Sequence, residues 1–325
     1  MKNIFENKSI FVSGATGSWG NELVKQLLQF HNPKEIIIYS RGEFAQVSME
    51  RKFNNKKLKF MIGDIRDYNR LNECMNNVDF VFHLAALKHV PVCEENIDEC
   101  IKTNILGVQN IVDCAINNNV KMVLDLSTDK ACNPVNVYGI SKSLGEKIII
   151  DANNNKNTKF VCIRSGNALG TSGSVIPHFI EKAKNNEIIP ITDINMTRFV
   201  IPLKEAINLV LEISHECIGG EIFALKMSSV KIIDIANVLW KFYNPKDEMK
   251  QDIIGTRQGE KLNETLVSEQ EIFRAVEKEK YYLIYPNGIL KKPDLIRNLK
   301  EYSSDNADIL NENEVMALLK RGGCI

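Results

Sequence analysis

Apolar residues gather along this chain in short unbroken runs, each followed by a longer stretch with helical periodicity. SIFVS at residues 9–13 breaks into GATGSWG and then NELVKQLLQF, where Leu23, Leu27 and Phe30 recur at helical spacing. That order predicts strand, glycine turn and helix. EIIIYS, the polar EFAQVSMERKF, KLKFMIGD, VDFVFHLAA and a long segment from Glu99 to Asn117 continue the alternation. KMVLDLST then predicts a strand, Val137 to about Asn153 a helix, and KFVCIRSG another strand. Uniformly apolar strands separated by helices of about ten or more residues belong to a parallel sheet covered on both faces.

The predicted fold class is α/β, a Rossmann-like doubly wound parallel sheet with a smaller mixed C-terminal substrate-binding portion. Residues 1–166 form the dinucleotide-binding domain, and 203–225, containing a helix from Leu203 to Glu216 and the strand EIFAL, return to it. Residues 167–202 and 226–300 are richer in polar loops and make up the substrate-binding portion. The tail, 301–325, carries a short helix announced by the capping-box pair Asn311 and Glu314.

Composition narrows the classes. The chain has 325 residues, enough for about two domains. Its 41 basic and 41 acidic residues leave no net field to attract nucleic acid or an anionic membrane. The N-terminal segment lacks signal-peptide features, and no run approaches the ~20 apolar residues of a membrane span. Eight cysteines without CxxC or metal-finger spacing argue against a disulfide framework or a metal site. A cytoplasmic protein binding neither nucleic acid nor membrane is expected.

The chemistry begins at Gly14, Gly17 and Gly20, a GxxGxxG immediately after the first strand. Glycines there let a dinucleotide's pyrophosphate approach backbone N–H groups at the positive end of the next helix. The second strand ends in Ser40 and Arg41 where an NAD-selecting domain carries an acidic residue, so a 2′-phosphate and NADP are expected unless Arg41 is a solvated loop charge. Asp64, after the third strand, either accepts from the adenine amino group or caps a helix. Tyr138 and Lys142 form a YxxxK pair, one turn apart on a helix face, in which lysine holds the cofactor ribose and lowers the phenol's pKa.

With these residues in hand, GATGSWG, HLAALKHVP, KTNILG, LSTDKACNPVNVYGISK, GNALGTSGSVIP, MTRF and TRQGEKLNETL resemble the UDP-N-acetylglucosamine 4,6-dehydratase family of the extended short-chain dehydrogenase/reductase superfamily. They are most similar to its configuration-inverting branch, used for pseudaminic acid precursors. The resemblance implies that tightly bound NADP, regenerated each turnover, is also contacted by Thr16, Ser18, Ile65, Ala85, Ala86, Lys88 and Asn104. It implies that Tyr138 takes the C4 hydroxyl proton with Thr128 bonded to the same oxygen. Lys130 then removes the C5 proton, and Asp129 protonates the departing C6 hydroxyl. For this, a neutral Lys130 and a protonated Asp129 are expected at that moment.

Lys88, Asn167, Arg198, Arg257 and Glu260 would hold the nucleotide-sugar, the arginines facing the diphosphate and Glu260 the uridine ribose. His89 is either a sugar contact or a loop histidine, and Cys132, with no histidine partner, is packing. Ser165 and Ser172 stand where the inverting pattern has Tyr and Arg, which leaves C5 inversion and retention both open. A nucleotide-sugar epimerase and a non-catalytic cofactor-binding regulator stay open beside the dehydratase. The superfamily resemblance implies a homo-oligomer, dimer or larger.

Overall fold

The computed structural model describes residues 3–155, 157–171, 173–286 and 300–325. Ser172 and part of the 226–300 stretch therefore lie outside the described residues. From the N-terminus the chain forms β1 (Ser9–Ser13), α1 (Ser18–Gln26), β2 (Glu35–Ser40), α2 (Glu43–Phe53), β3 (Leu58–Ile62), α3 (Tyr68–Cys74) and β4 (Phe80–His83). Next come α4 (Val90–Glu95), α5 (Ile97–Ile101), a wide π-turn over Lys102–Leu106, α6 (Gly107–Asn117), β5 (Met122–Thr128), α7 (Val137–Asp151) and β6 (Lys159–Ser165). The second half holds β7 (Asn167–Leu169), α8 (Val175–Lys184), β8 (Ile189–Ile191), β9 (Thr197–Pro202), α9 (Leu203–Glu216) and β10 (Ile222–Leu225). It continues through β11 (Ser228–Lys231), α10 (Ile232–Tyr243), β12 (Gln251–Ile253), β13 (Thr265–Val267) and α11 (Glu269–Ile272). It ends with β14 (Ala275–Glu277), β15 (Tyr281–Ile284), β16 (Tyr302–Ser303) and α12 (Glu312–Arg321).

Nine strands make one sheet in the order β14-β15-β10-β6-β5-β4-β1-β2-β3. The seven from β3 to β10 run parallel, and β15 and β14 close the edge antiparallel. β1 lies between β2 and β4, so the strand order reverses there and opens a crevice at the carboxyl ends, where this architecture takes its ligands. β1 is buried at every position, as a strand covered on both faces must be. Residues 275–284 therefore belong to the large sheet, although the sequence grouped 226–300 with the substrate portion. These strands are too short to carry a periodicity that assigns them to either side.

A second apolar core gathers Leu169, Phe179, Trp240, Leu318 and Leu319 from β7, α8, α10 and α12. The tail helix is thus built into this core, behind a capping box in which Asn311 Oδ1 accepts from Glu314 N (3.2 Å) and Glu314 Oε2 accepts from Asn311 N (2.8 Å).

The two halves are joined by a buried guanidinium. Arg164, on β6, donates to Glu146 of α7 (Nε–Oε1 2.8 Å, Nη2–Oε2 2.7 Å) and to Glu271 of α11 (Nη1–Oε2 2.8 Å, Nη2–Oε1 2.8 Å). A fifth bond reaches the Leu266 carbonyl (3.0 Å), and Ser127 on β5 donates to Glu146. Burial would raise the Glu271 carboxyl, but the Arg164 guanidinium and the Ser268 donors pull it down to about 2.

Arg164→Met leaves the buried Glu146 without its guanidinium and Glu271 with only the more distant Arg274 (3.7 Å), and costs about 3–5 kcal/mol, read from denaturant unfolding. Because the folded Glu271 value lies below the ordinary 4.5, its stabilisation is complete above pH 4.5 and is lost as pH falls toward 2. An acid titration of wild-type stability should show this loss, and Glu271→Gln should remove it.

Candidate active site

A cleft of about 610 Å³ opens at the carboxyl ends of β1, β4, β5 and β6. Its floor at one end is the glycine turn. Gly14 has φ +66°, and a Cβ there would sit 2.8 Å from the Ala85 amide nitrogen. The β1 turn and the Leu84–Ala85 backbone can meet only because that side chain is missing. Gly17 precedes α1, and no side chain caps the helix there, so its N-terminal end is presented to the cleft by backbone alone. Thr16, Gly17 and Ser18 line the cleft there, whereas Gly20 lies behind it, where a Cβ would meet the Ala15 carbonyl oxygen at 2.3 Å. The buried Thr103 hydroxyl on the cleft wall has no hydrogen-bond partner among the described residues. An open helix N-terminus, a cradle that a Cβ would fill and an orphaned hydroxyl fit a dinucleotide.

At the far side of that end, Ser40 and Arg41 line the cleft beside Asp64 and Ile65. Gln46 donates to the Ser40 hydroxyl (3.1 Å), and Arg41 lies 3.9 Å from Asp64. Burial would raise Asp64, but Arg66 bonds both carboxylate oxygens (backbone N 3.0 Å, Nε 2.9 Å) and holds its pKa below the ordinary value. Arg66, which the sequence did not single out, therefore adds a second guanidinium at this edge.

Ala85, Ala86, Lys88 and His89 form the wall after β4. His89 opens α4 and packs near Gly173, where a Cβ would come within 2.7 Å of the imidazole. Asn104, buried behind this wall, is not a lining residue. Its side chain exchanges hydrogen bonds with the Leu87 backbone (2.9 Å each way) and donates to Ser141 (3.0 Å), tying the loop after β4 to α7.

α7 presents Tyr138, Lys142 and Glu146 on one stripe at four-residue spacing. Glu146 is held by Arg164, and the first turn is fixed by Asn136, whose Oδ1 accepts from Gly139 N at 2.7 Å, and by Glu94, which accepts from Val137 N at 2.7 Å. Lys142 Nζ lies 3.3 Å from Asp125 Oδ2, a fully buried carboxylate on β5. Burial would lower the Lys142 ammonium, but Asp125 keeps it raised. Neighbouring His83 accepts or donates at Ser13 (2.7 Å), and burial drives its pKa down to about 4, so it stays neutral. Burial also raises the Tyr138 phenol, and the Lys142 ammonium and the Thr128 hydroxyl offset only part of that. Lys142 thus lowers the phenol in the expected direction, but burial outweighs it and the phenol stays above its ordinary value.

The strand-end pair is a triad. Lys130 Nζ lies 3.0 Å from Asp129 Oδ1 and 3.0 Å from Glu264 Oε1, and Thr128 Oγ1 donates to Asp129 Oδ1 at 3.0 Å. Burial would lower the Lys130 ammonium, but the two carboxylates outweigh it and hold it raised. Lys130 is thus a charged, paired ammonium in this state, and the neutral amine expected of it belongs only to the moment of C5 proton removal. Thr128 and Lys130 line the cleft, and Asp129 lies behind Gly166, itself a lining residue, where a Cβ would sit 3.3 Å from Asp129 Oδ2.

Asn167 and Ser165 complete the wall at the end of β6. Arg198 and Glu260 do not line it. The Arg198 guanidinium is committed to the carbonyls of Thr197 (2.7 Å), Leu262 (3.0 Å) and Lys261 (2.9 Å), so it orders the loop rather than facing solvent. Glu260 accepts from Arg257 N (3.2 Å), and the Arg257 side chain is exposed. This loop is seated on the start of α7 by Asn136 Nδ2 donating to the Gly259 carbonyl (2.7 Å) and Lys261 Nζ to the Cys132 carbonyl (2.8 Å). Cys132 is buried against Glu271, and burial pushes its thiol up to about 12, which suits packing rather than nucleophilic work.

Sequence and fold comparisons agree with this arrangement. The profile of the family described as polysaccharide biosynthesis protein matches residues 10–286. A Campylobacter jejuni (strain 81-176) UDP-N-acetylglucosamine 4,6-dehydratase (inverting) is 42% identical over 96% of this chain and 99% of its own. A Rickettsia conorii UDP-glucose 4-epimerase is 39% identical over 97% and 96%. The crystal structure of Pen from Bacillus thuringiensis superposes with TM-score 0.89 at 36% identity, covering 97% of this chain and 99% of Pen. The chain therefore belongs to the polysaccharide biosynthesis protein family, in the extended short-chain dehydrogenase/reductase superfamily, alongside the inverting UDP-N-acetylglucosamine 4,6-dehydratases.

Proposed function

We propose that this chain dehydrates UDP-N-acetylglucosamine across C5 and C6, giving a UDP-4-keto-6-deoxy sugar with inversion at C5. The observation that carries this reading is Lys130, an amine held by carboxylates on the wall that also presents Tyr138. Redox chemistry at C4 needs the tyrosine alone, whereas elimination needs an additional base for C5 and an acid for the C6 hydroxyl.

The C5 proton of a hexose is not acidic until C4 is a ketone. The nicotinamide, when bound, supplies the hydride acceptor for C4 and returns that hydride to C6. Gly14, Gly17 and the first turn of α1 would hold its pyrophosphate, and Lys142 its ribose. Tyr138, once its own phenolic proton has passed to solvent, receives the C4 hydroxyl proton, with Thr128 bonded to the same oxygen. Lys130 takes the C5 proton, and Asp129 gives a proton to the departing C6 hydroxyl so that water leaves. Asn167 and Lys88, on the cleft wall, would contact the sugar, and the loop of Arg257 and Glu260, part of the substrate-binding portion, would contact the nucleotide.

Arg41, after β2, and Arg66, after β3, favour the 2′-phosphate of NADP over NAD. Exposed Ile97, Ile101, Leu106, Ile140 and Leu144, on neighbouring α5, the π-turn and α7, support a homo-oligomer through this face, which a light-scattering mass above the monomer's would bear out. None of the described helices is long and apolar enough to cross a membrane. The eight unpaired thiols support a reducing, cytoplasmic setting. An inverted product suits nonulosonic acid synthesis, of which pseudaminic acid is one, for surface glycans.

The second reading is C4 epimerisation, favoured by the similarity to the Rickettsia UDP-glucose 4-epimerase. Incubation with UDP-N-acetylglucosamine in deuterated water, followed by NMR, separates the two. Dehydration gives a 6-deoxy-4-keto sugar with deuterium at C5, and the C5 couplings report inversion or retention. A C4-epimeric sugar that keeps its C6 hydroxyl would replace this reading with the second. Lys130→Ala should lower dehydration by at least about 100-fold. Calorimetric titration should show NADP binding more tightly than NAD, and equal affinities would remove the role given to Arg41.

A further inference from the structure

Glu264 stands near the end of the segment TRQGEKLNETL, in which the sequence pattern assigns a role only to Arg257 and Glu260, yet its side chain reaches the centre of the site. It is 2% exposed, and Oε1 lies 3.0 Å from Lys130 Nζ, while Oε2 has no hydrogen-bond partner among the described residues. Its backbone is fixed from both sides by the fully buried Ser304, with Glu264 N donating to Ser304 Oγ at 2.9 Å and Ser304 N donating to the Glu264 carbonyl at 2.8 Å. Ser304 Oγ is in turn 2.6 Å from Thr197 Oγ1, next to Arg198. A carboxylate buried in this way is costly, and one that served only packing would be replaced by an amide or an apolar side chain at little loss.

We propose that Glu264 is the positioning residue of Lys130, the fixed counter-ion that holds its Nζ in place during the part of the cycle when Asp129 is neutral. This rests on the dehydratase reading above. In the resting triad Lys130 is an ammonium between two carboxylates. Transfer of one proton across the 3.0 Å from Lys130 Nζ to Asp129 Oδ1 leaves an amine beside a carboxylic acid, with no proton gained or lost overall. The amine lone pair then takes the C5 proton, and the C5–H electrons form the enolate of the C4 ketone. The enolate collapses to the C5–C6 double bond as the C6–O bond breaks. Asp129 gives its proton to the leaving hydroxide, which departs as water, and the triad is back to ammonium and two carboxylates.

At the start of this sequence Asp129 has lost its charge and cannot hold Lys130. Glu264 takes no part in this proton exchange: it accepts a hydrogen bond from the amine and faces the ammonium as it forms. Asp129 is thereby free to act as the acid, so the two carboxylates divide between them tasks that one cannot perform.

E264Q preserves volume and one hydrogen bond but removes the charge, and it tests the assignment against C4 oxidation, which depends on Tyr138. Rapid mixing of the NADP-loaded enzyme with UDP-N-acetylglucosamine follows reduced nicotinamide by absorbance, and NMR in deuterated water follows C5 exchange and product. In E264Q reduced nicotinamide should form as in the wild type and accumulate, while C5 exchange and product fall about 100-fold, with E264D recovering part of the loss. Unchanged thermal unfolding and NADP affinity should accompany this. Product formation within about threefold of wild type, or loss of C4 oxidation in step with elimination, overturns the assignment. Wild-type enzyme that forms neither reduced nicotinamide nor product overturns the dehydratase reading, and this assignment with it.

Discussion

The structure turns on the Arg164 guanidinium, which one strand of the parallel sheet places between a carboxylate of the active helix and a carboxylate of the C-terminal half. Each element could fold without it, but their relative positions could not be kept. Glu146 is two turns beyond Tyr138 on the same stripe of α7, so fixing Glu146 fixes the rotation of that helix and with it where the phenol and Lys142 point. Glu271 lies just past β13, the strand that follows Glu264, so the same guanidinium sets the reach of the second carboxylate toward Lys130. The bidentate geometry matters here because a point charge such as lysine would hold distance but not orientation.

Around this anchor the molecule keeps an unusual amount of charge out of water. Lys142 faces Asp125, and Lys130 faces Asp129 and Glu264. Isolated buried charges would be neutralised, and pairing is what lets them persist. The same pairing keeps the lysines of the resting protein charged, while burial keeps its tyrosine protonated. The site is poised rather than pre-ionised, and proton transfer among neighbours about 3 Å apart can change the state without importing a proton from solvent.

Much of this was legible in the sequence. Apolar runs with no alternation announced a parallel sheet, because a strand buried on both faces has no polar side, and β1, β5 and α9 fall where the pattern placed them. The glycine triplet and the YxxxK spacing located the cleft because both are local. Partnerships across the fold were not legible. Glu264 reaches Lys130 only after the chain has crossed into the second half and been pinned by the tail at Ser304. Arg198 looked like a diphosphate ligand because an exposed arginine and one feeding three carbonyls read alike. Asn104 looked like a cofactor contact for a similar reason, and in the structure it clamps a loop to α7. Asp125 sits in the apolar run LDLST with nothing in its neighbourhood to name its partner, which lies on the helix packed above it.

The central claim is that oxidation at C4 serves elimination at C5 and C6, with the same hydrogen removed and returned within one turnover. The most direct test uses UDP-N-acetylglucosamine carrying deuterium at C4 and locates the label in the product by NMR. The account predicts deuterium in the C6 methyl group, because the hydride taken from C4 can return only to the carbon that lost its hydroxyl. Deuterium recovered at C4, with the C6 hydroxyl intact, would contradict it.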